Sequence, residues 1–195
     1  MKAWQHFCTI TKHRHTVCRL CFKAGLYRQG LLHDLSKYSP AEFFVGAKYY
    51  QGNRSPNNAE REAKGYSSAW LHHKGRNKHH LEYWVDYGLG DTVGLTGMRM
   101  PVNYVVEMFC DRIAACKTYQ KEAYTDESPW AYYDRGRKHL MLHEKPRALL
   151  EDLLIRLRDE GEDAVFTYIR NKILTPEYIR AYESENIEGR TPAGL

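Results

Sequence analysis

The chain has 195 residues, 43% of them hydrophobic, which suits one domain with a substantial buried core. Lys and Arg number 29 against 24 Asp and Glu, a formal charge of +5, but the signs are interleaved; no basic block marks the chain as a nucleic-acid binder. No stretch approaches the roughly 18 to 20 apolar residues of a membrane span, and the opening "MKAWQHFCTITKHRH" lacks the apolar run of a signal peptide, so a cytoplasmic protein is expected.

Trp4, Phe7, Ile10, Val17, Leu20, Cys21 and Ala24 recur at spacings of mostly three, four and seven, predicting an amphipathic helix over 4–27 that ends near Gly25, with His13 on its polar side. A second helix is expected over about 28–36. Another starts in "SKYSPAEF", where Ser39 can cap and Pro40 suits a first helical position. "GNRSPNNAEREAKG", from Gly52 to Gly65, reads as a surface loop running into a short helix. "YSSAWLHHKGRNKHHLEYWVDYG" predicts a helix interrupted around Gly75 to Asn77 that resumes through Trp84. "DTVGLTGMRMP" is Gly-rich and lid-like. Pro101 then opens a helix with Val102, Val105, Val106, Phe109 and Ile113 on one side and Asp111 off that stripe. Three more helical runs follow at about 129–142, 146–160 and 162–173. Nothing shows sustained strand alternation or internal repetition, so the fold reads all-α.

"LLHDLSKYSP", residues 31–40, places His33 and Asp34 side by side after two leucines. On a helix adjacent side chains diverge by about 100° and cannot share one apolar stripe. A buried carboxylate is costly unless paired or metal-bound, and an imidazole beside it suits a shared cation. His13, His33, Asp34 and Asp111 supply a mixed nitrogen and oxygen set for a divalent ion. Ten histidines in one chain reinforce that reading, since imidazole is the commonest metal ligand.

The ordered pattern H, then HD, then D resembles the HD-domain metal-dependent phosphohydrolases. H-x-x-x-V is matched by His13 and Val17, with His15 a close competitor. "LLHDxxK" is matched by Leu31, Leu32, His33, Asp34 and Lys37, and "xxDxxxA" by Asp111 and Ala115. The phrases "GLLHDLSKYSPAEF" and "AWLHHKGRNKHHLEYW" also look like a smaller bacterial and phage group with this metal pattern, which implies no substrate. The resembling segments span about 10–117, where the resemblance implies the metal core of an HD-like helical bundle; the single domain over 1–195, with C-terminal helices at about 129–183, rests on helical periodicity alone. Two-metal members carry further histidines between the dyad and the last aspartate, and here "WLHHKGRNKHH" offers His72, His73, His79 and His80. In an unbroken helix, residues seven apart lie roughly 10 Å apart along the axis, so a break at Gly75 is needed for them to converge. The expected site has two divalent ions (Mn, Fe, Co, Ni, Mg or Zn) bridged by Asp34. His13, His33 and Asp111 take one, and His73 with His79 or His80 the other. The "GYP" signature of the cyclic-dinucleotide branch is absent, so that substrate is not implied.

Such a site implies hydrolysis of a small phosphorylated or nucleotide substrate by metal-activated water. Asp34 and Lys37 are the expected catalytic residues, and Lys37, Arg76 and Lys78 the phosphate contacts. A di-iron oxygenase of the same fold and a noncatalytic metal-containing binding module are the rival expectations. Several residues have plainer readings: His6 as ordinary, His72 and His80 as a solvated flank, His139 and His143 on a C-terminal helix face, and Arg112 as a surface group or one that supports the site from behind. Glu42 and Glu107 read as caps or salt-bridge partners, and Cys18 and Cys21 as structural thiols in a reducing compartment.

Overall fold

Twenty-three residues without proline or glycine form the first helix, α1 (Lys2–Ala24), in the computed structural model, which describes residues 1–89 and 94–184. The helix buries Ile10, Val17, Leu20, Cys21 and Ala24 along one side. It stops at Gly25, whose φ of 91° lets its own N–H and that of Leu26 bond back to the carbonyls of Phe22 and Cys21. Short helices follow: α2 (Tyr27–Leu32), a 3-10 turn over Leu35–Tyr38, α3 (Pro40–Lys48), α4 (Pro56–Lys64) and α5 (Ser68–Lys74).

The central helix is α6 (Val102–Gln120), which buries Val102, Val105, Val106, Phe109, Cys110, Ile113 and Ala114 on more than one face. It packs against α1 on one side. On the other lie α7 (Ser128–Asp134) and α8 (Glu144–Glu160), the latter contributing Leu149, Leu150, Leu153, Leu154 and Leu157 to the core. α9 (Glu162–Tyr168) continues into a π turn over Ile169–Ile173, and Val165, Phe166, Ile169 and Ile173 are essentially closed to water. The last helix, α10 (Pro176–Ser184), is strapped down by Tyr182, whose hydroxyl donates to the Met100 carbonyl at 2.8 Å. The result is the expected all-α bundle. No helix among the described residues is long and apolar enough to cross a membrane.

Several local expectations are corrected. The segment 28–36 is not one helix: α2 ends at Leu32, and His33 and Asp34 form a turn in which Asp34 is left-handed, with φ 54° and ψ 24°. His33 and Asp34 are buried, but not by the two leucines before them: Leu31 and Leu32 are 55% and 53% exposed. Trp4 likewise faces solvent, whereas His13 is buried rather than on a polar face. The helix around the paired histidines does not resume after Gly75 but re-forms only as a 3-10 turn over Leu81–Trp84. A strand pair follows where none was expected. β1 (Val85–Gly88) pairs antiparallel with β2 (Gly94–Gly97), Val85 opposite Gly97 and Gly88 opposite Gly94. A side chain at Gly97 would lie 2.6 Å from the Met141 carbonyl oxygen, so glycine lets the hairpin seat against the segment before α8. The Gly-rich lid expectation thus becomes β2 and its exit, with Asp91 to Val93 outside the described residues. The run at 129–142 is helical only to Asp134 and then makes a 3-10 turn at Arg137–His139.

Candidate metal centre

Four elements deliver the site. α1 contributes His13, the turn after α2 contributes His33 and Asp34, α5 and the turns after it contribute His73, His79 and His80, and α6 contributes Asp111. Local chemistry fixes each delivery. Arg14 donates from Nη2 to the Leu31 carbonyl at 2.5 Å and from Nε to the His33 carbonyl at 3.1 Å, tying the turn to α1. The left-handed Asp34 reverses the chain so that its carboxylate points inward; Asp is one of the few residues that tolerate this conformation. The start of α5 is held by buried Glu60, whose carboxylate accepts from Ser67 Oγ and Ser68 Oγ, each at 2.7 Å, and from the Ala69 N–H at 3.3 Å.

Asp34 stands at the centre with its two oxygens facing different ways. Oδ2 is 3.2 Å from His33 Nε2 and 3.8 Å from His13 Nε2. Asp111 Oδ1 joins that side, 2.9 Å from His13 Nε2 and 3.7 Å from His33 Nε2. Oδ1 of Asp34 faces His73 Nε2 at 3.2 Å and His79 Nε2 at 3.5 Å, and His80 completes that side. Two donors each about 2.1 Å from a common ion stand about 3.0 Å apart at an octahedral angle and about 3.4 Å apart at a tetrahedral one. The observed spacings bracket both values.

Apart from one another, and from Lys37 Nζ beside Asp34 Oδ2, these atoms lack partners. Nε2 of His13, His33, His73, His79 and His80 and both oxygens of Asp34 are buried without a hydrogen bond of acceptable geometry. Buried polar atoms are ordinarily satisfied, so a convergent set of seven unsatisfied ones marks a place for a ligand. In His33, His73 and His79 the opposite ring nitrogen is held. Glu107 Oε1 accepts from His33 Nδ1 at 2.9 Å and lies 3.1 Å from His79 Nδ1. Glu42 takes His73 Nδ1 at 2.8 Å and His72 Nδ1 at 2.6 Å through its two oxygens. A carboxylate on Nδ1–H leaves the Nε2 lone pair free and aimed at the shared space, the usual support of a metal-binding imidazole. The residues present therefore fit a metal ion.

The electrostatics agree. Burial opposes ionisation of Asp34, yet the charges of His33 and Lys37 hold its carboxyl well below the usual range. Asp111 behaves in the same way, burial being overcome by His13 and His33. Glu107 and Glu42 are also lowered against burial by the histidines they hold. Burial works against a charge on His33 too, but Asp34 raises it well above the ordinary value. His80, buried and beside His79, is pushed well down and stays neutral.

Lys37 lies on the 3-10 turn with Nζ 2.6 Å from Asp34 Oδ2, so it is an ion-pair partner of the central carboxylate. The other two expected phosphate contacts are not brought into the cluster. Arg76 is exposed and donates to the His72 carbonyl at 3.2 Å, while Lys78 is exposed with Nζ over the rings of Tyr83 and Tyr104. His15 is exposed, whereas His13 is buried within the cluster. His143 caps α8 by accepting from the Lys145 N–H, and His139 is exposed. His6 is buried rather than ordinary, packed between Phe43 and Tyr50. His72 is held by Glu42 rather than solvated freely, and Arg112 is turned inward over the Tyr133 ring. All five cysteines are free.

Glu42 and Glu107 were legible only as generic salt-bridge residues. The signal for Glu107 is its position four residues before Asp111, on the same face of α6. Ser36 and Asn77, which also approach His73 Nδ1 at 3.2 and 3.1 Å, carried no signal. Comparison with curated proteins and with solved structures gives no match. The model of a family of unknown function, DUF5662, matches residues 2–156, the stretch that carries every side chain of this cluster, and the chain belongs to that family.

Proposed function

We propose that this chain is a metal-dependent phosphohydrolase whose buried histidines and carboxylates would hold two divalent ions, one on each side of Asp34. The observation that carries the reading is the division of the Asp34 carboxylate, one oxygen toward His13, His33 and Asp111 and the other toward His73, His79 and His80. Charge supports it. Asp34, Asp111, Glu42 and Glu107 bring four negative charges, and among the described Lys and Arg residues Lys37 ion-pairs with this group. Burying such an excess is costly without cations or protons on the histidines.

Bound divalent ions lower the pKa of a shared water and draw charge from a phosphoryl oxygen. The chain's own residues decide where that happens. Side chains of His33, Asp34, His73 and His79 are 0–2% exposed, whereas Asp111 is 19% and Lys37 28% exposed, so substrate enters over the Asp111 and Lys37 edge. There Lys37, which burial would discharge but Asp34 keeps charged, offers a permanent positive charge to a nonbridging phosphoryl oxygen. Arg76 and Lys78 stand outside this edge and have no assigned part in it.

The test is metal analysis of the full chain purified without chelators, with anaerobic phosphate release from a panel of nucleotides and sugar phosphates supplied with manganese, cobalt or magnesium. Two ions per chain, phosphate release, and loss of both in Asp34→Ala are expected. Failure to take up any ion on reconstitution overturns the reading. Oxygen-dependent turnover with iron would replace it by an oxygenase, and full metal loading with no turnover by a binding module.

A further inference from the structure

Between the two ligand sets lies a second shared carboxylate. Glu107 Oε1 sits 2.9 Å from Nδ1 of His33, which faces the first set, and 3.1 Å from Nδ1 of His79, which faces the second. The two imidazole rings lie 4.4 Å apart, tilted by 35°, in contact with one another as well as with the same oxygen. A carboxylate oxygen has two lone pairs and can accept from both rings at once. Glu42 differs in its connections. Its two oxygens go to His73 and His72, and of these only His73 faces Asp34.

We propose that Glu107 is the positioning residue that couples the two metal positions, one oxygen aiming a ligand of each, so that the ions bind as a pair. The inference rests on the two-ion reading above. Its physical content is that neither ring can be oriented for its ion without placing the oxygen that orients the other. With its proton on Nδ1 toward Glu107, His33 would offer Nε2 to one ion, and the same Glu107 oxygen, accepting from His79 Nδ1, would leave His79 Nε2 free for the other. Each ion lowers the ordering cost of the next, which is positive cooperativity without a moving domain. Glu42 supports one side only.

Cobalt(II) titration of the full chain, followed by visible absorption and calorimetry, separates the outcomes. Wild-type protein should take up two ions in one cooperative phase. Glu107→Gln keeps the volume but removes the charge, and should weaken both ions about 10- to 100-fold. Glu42→Gln should weaken one ion by a similar factor and leave the other, splitting the titration into two phases. Wild-type protein with fewer than two ions removes the two-ion reading and this inference with it. Two wild-type ions, with Glu107→Gln weakening one or neither, overturns the coupling alone. If Glu107→Gln does not fold, the histidine ring nitrogens of zinc-loaded wild-type protein give the same answer by NMR. Both His33 and His79 must show a protonated Nδ1 and a metal-bound Nε2, and the reverse tautomer at either overturns the proposal.

Discussion

Gly46→Ala should destabilise this protein, against the ordinary rule for helices. In the interior of a helix such as α3, alanine is favoured over glycine by about 0.5–1 kcal/mol. Here a β-carbon would stand 2.3 Å from His6 Nε2, 2.6 Å from Cε1 and 3.3 Å from Cδ2. Ordinary contacts need at least about 3.4 Å, so either the ring or the helix must move by about 1 Å. The ring has little freedom, since His6 is buried and flanked by Phe43 at 5.5 Å and Tyr50 at 5.8 Å. Overpacking of this kind costs about 1–3 kcal/mol, and the severity of the 2.3 Å approach puts Gly46→Ala in the upper half of that range, leaving a net loss of about 1–2.5 kcal/mol and a Tm lower by about 2–10 °C. Function should suffer more than stability. Glu42 lies one turn back on α3, and displacement of that helix lengthens its 2.8 Å contact with His73 Nδ1. Calorimetry and urea unfolding of Gly46→Ala, His6→Ala and the double variant form the assay. The double variant should be more stable than the sum of the single losses predicts, because the new methyl group fills the space the ring vacates. A single Gly46→Ala variant that melts above wild type, or strict additivity in the cycle, would refute the reasoning.

Glu60→Gln should cost about 2–3 kcal/mol at neutral pH, read by denaturant unfolding, because a buried carboxylate then loses the charge that Ser67, Ser68, Ala69 and Lys64 satisfy. Burial opposes that charge, yet these donors lower the Glu60 pKa to about 2 from an ordinary 4.5. A depressed carboxyl contributes stability above its unfolded pKa and loses it as pH falls through the folded one, so wild-type unfolding free energy should drop between about pH 4.5 and 2. The glutamine variant should lack that share of the drop; identical acid profiles would contradict the assignment. Chelation of bound metal should lower Tm by about 5–10 °C, the effect of removing a ligand present at about 100 times its Kd, and an unchanged melt on EDTA treatment would count against a loaded centre. Leu31→Ser and Leu32→Ser should change stability by less than about 0.5 kcal/mol each, since both side chains are more than half exposed; a loss of 2 kcal/mol or more would return them to the core.

The sequence made the helices and the residues of the buried cluster legible for different reasons. Val102, Val105, Val106, Phe109 and Ile113 announce α6 because a half-buried helix repeats its apolar residues every three or four positions, and the structure buries all five. His13, His33, Asp34 and Asp111 were legible because their order resembles a known pattern, not because any local rule marks them. The hairpin was not legible. Its strands are four residues each, one ends in "DYG" and the other is "GLTG", and no alternation survives over so short a span. The dyad turn was misread because "LLHD" has helical composition, while the left-handed Asp34 is imposed by Arg14 on the carbonyls before it and by the ion pair to Lys37. Glu42 and Glu107 stayed hidden because what distinguishes them is a through-space partner 31 and 74 residues away.

The family match ends at residue 156, inside α8, and the packing does not. Val165, Phe166, Ile169 and Ile173, all beyond that point, are 0–1% exposed, and Phe166 lies 5.9 Å from Phe109 of the helix that carries Asp111 and Glu107. Burial of four such side chains is worth about 6–12 kcal/mol, comparable to the whole stability of an ordinary domain. Inherited similarity and folding competence therefore stop at different places along this chain. A fragment cut where the likeness ends would leave α6 with an open flank and present its apolar residues to other molecules. The segment beyond residue 156 therefore acts on the cluster from a distance, by closing the flank of the helix that carries Glu107 and Asp111.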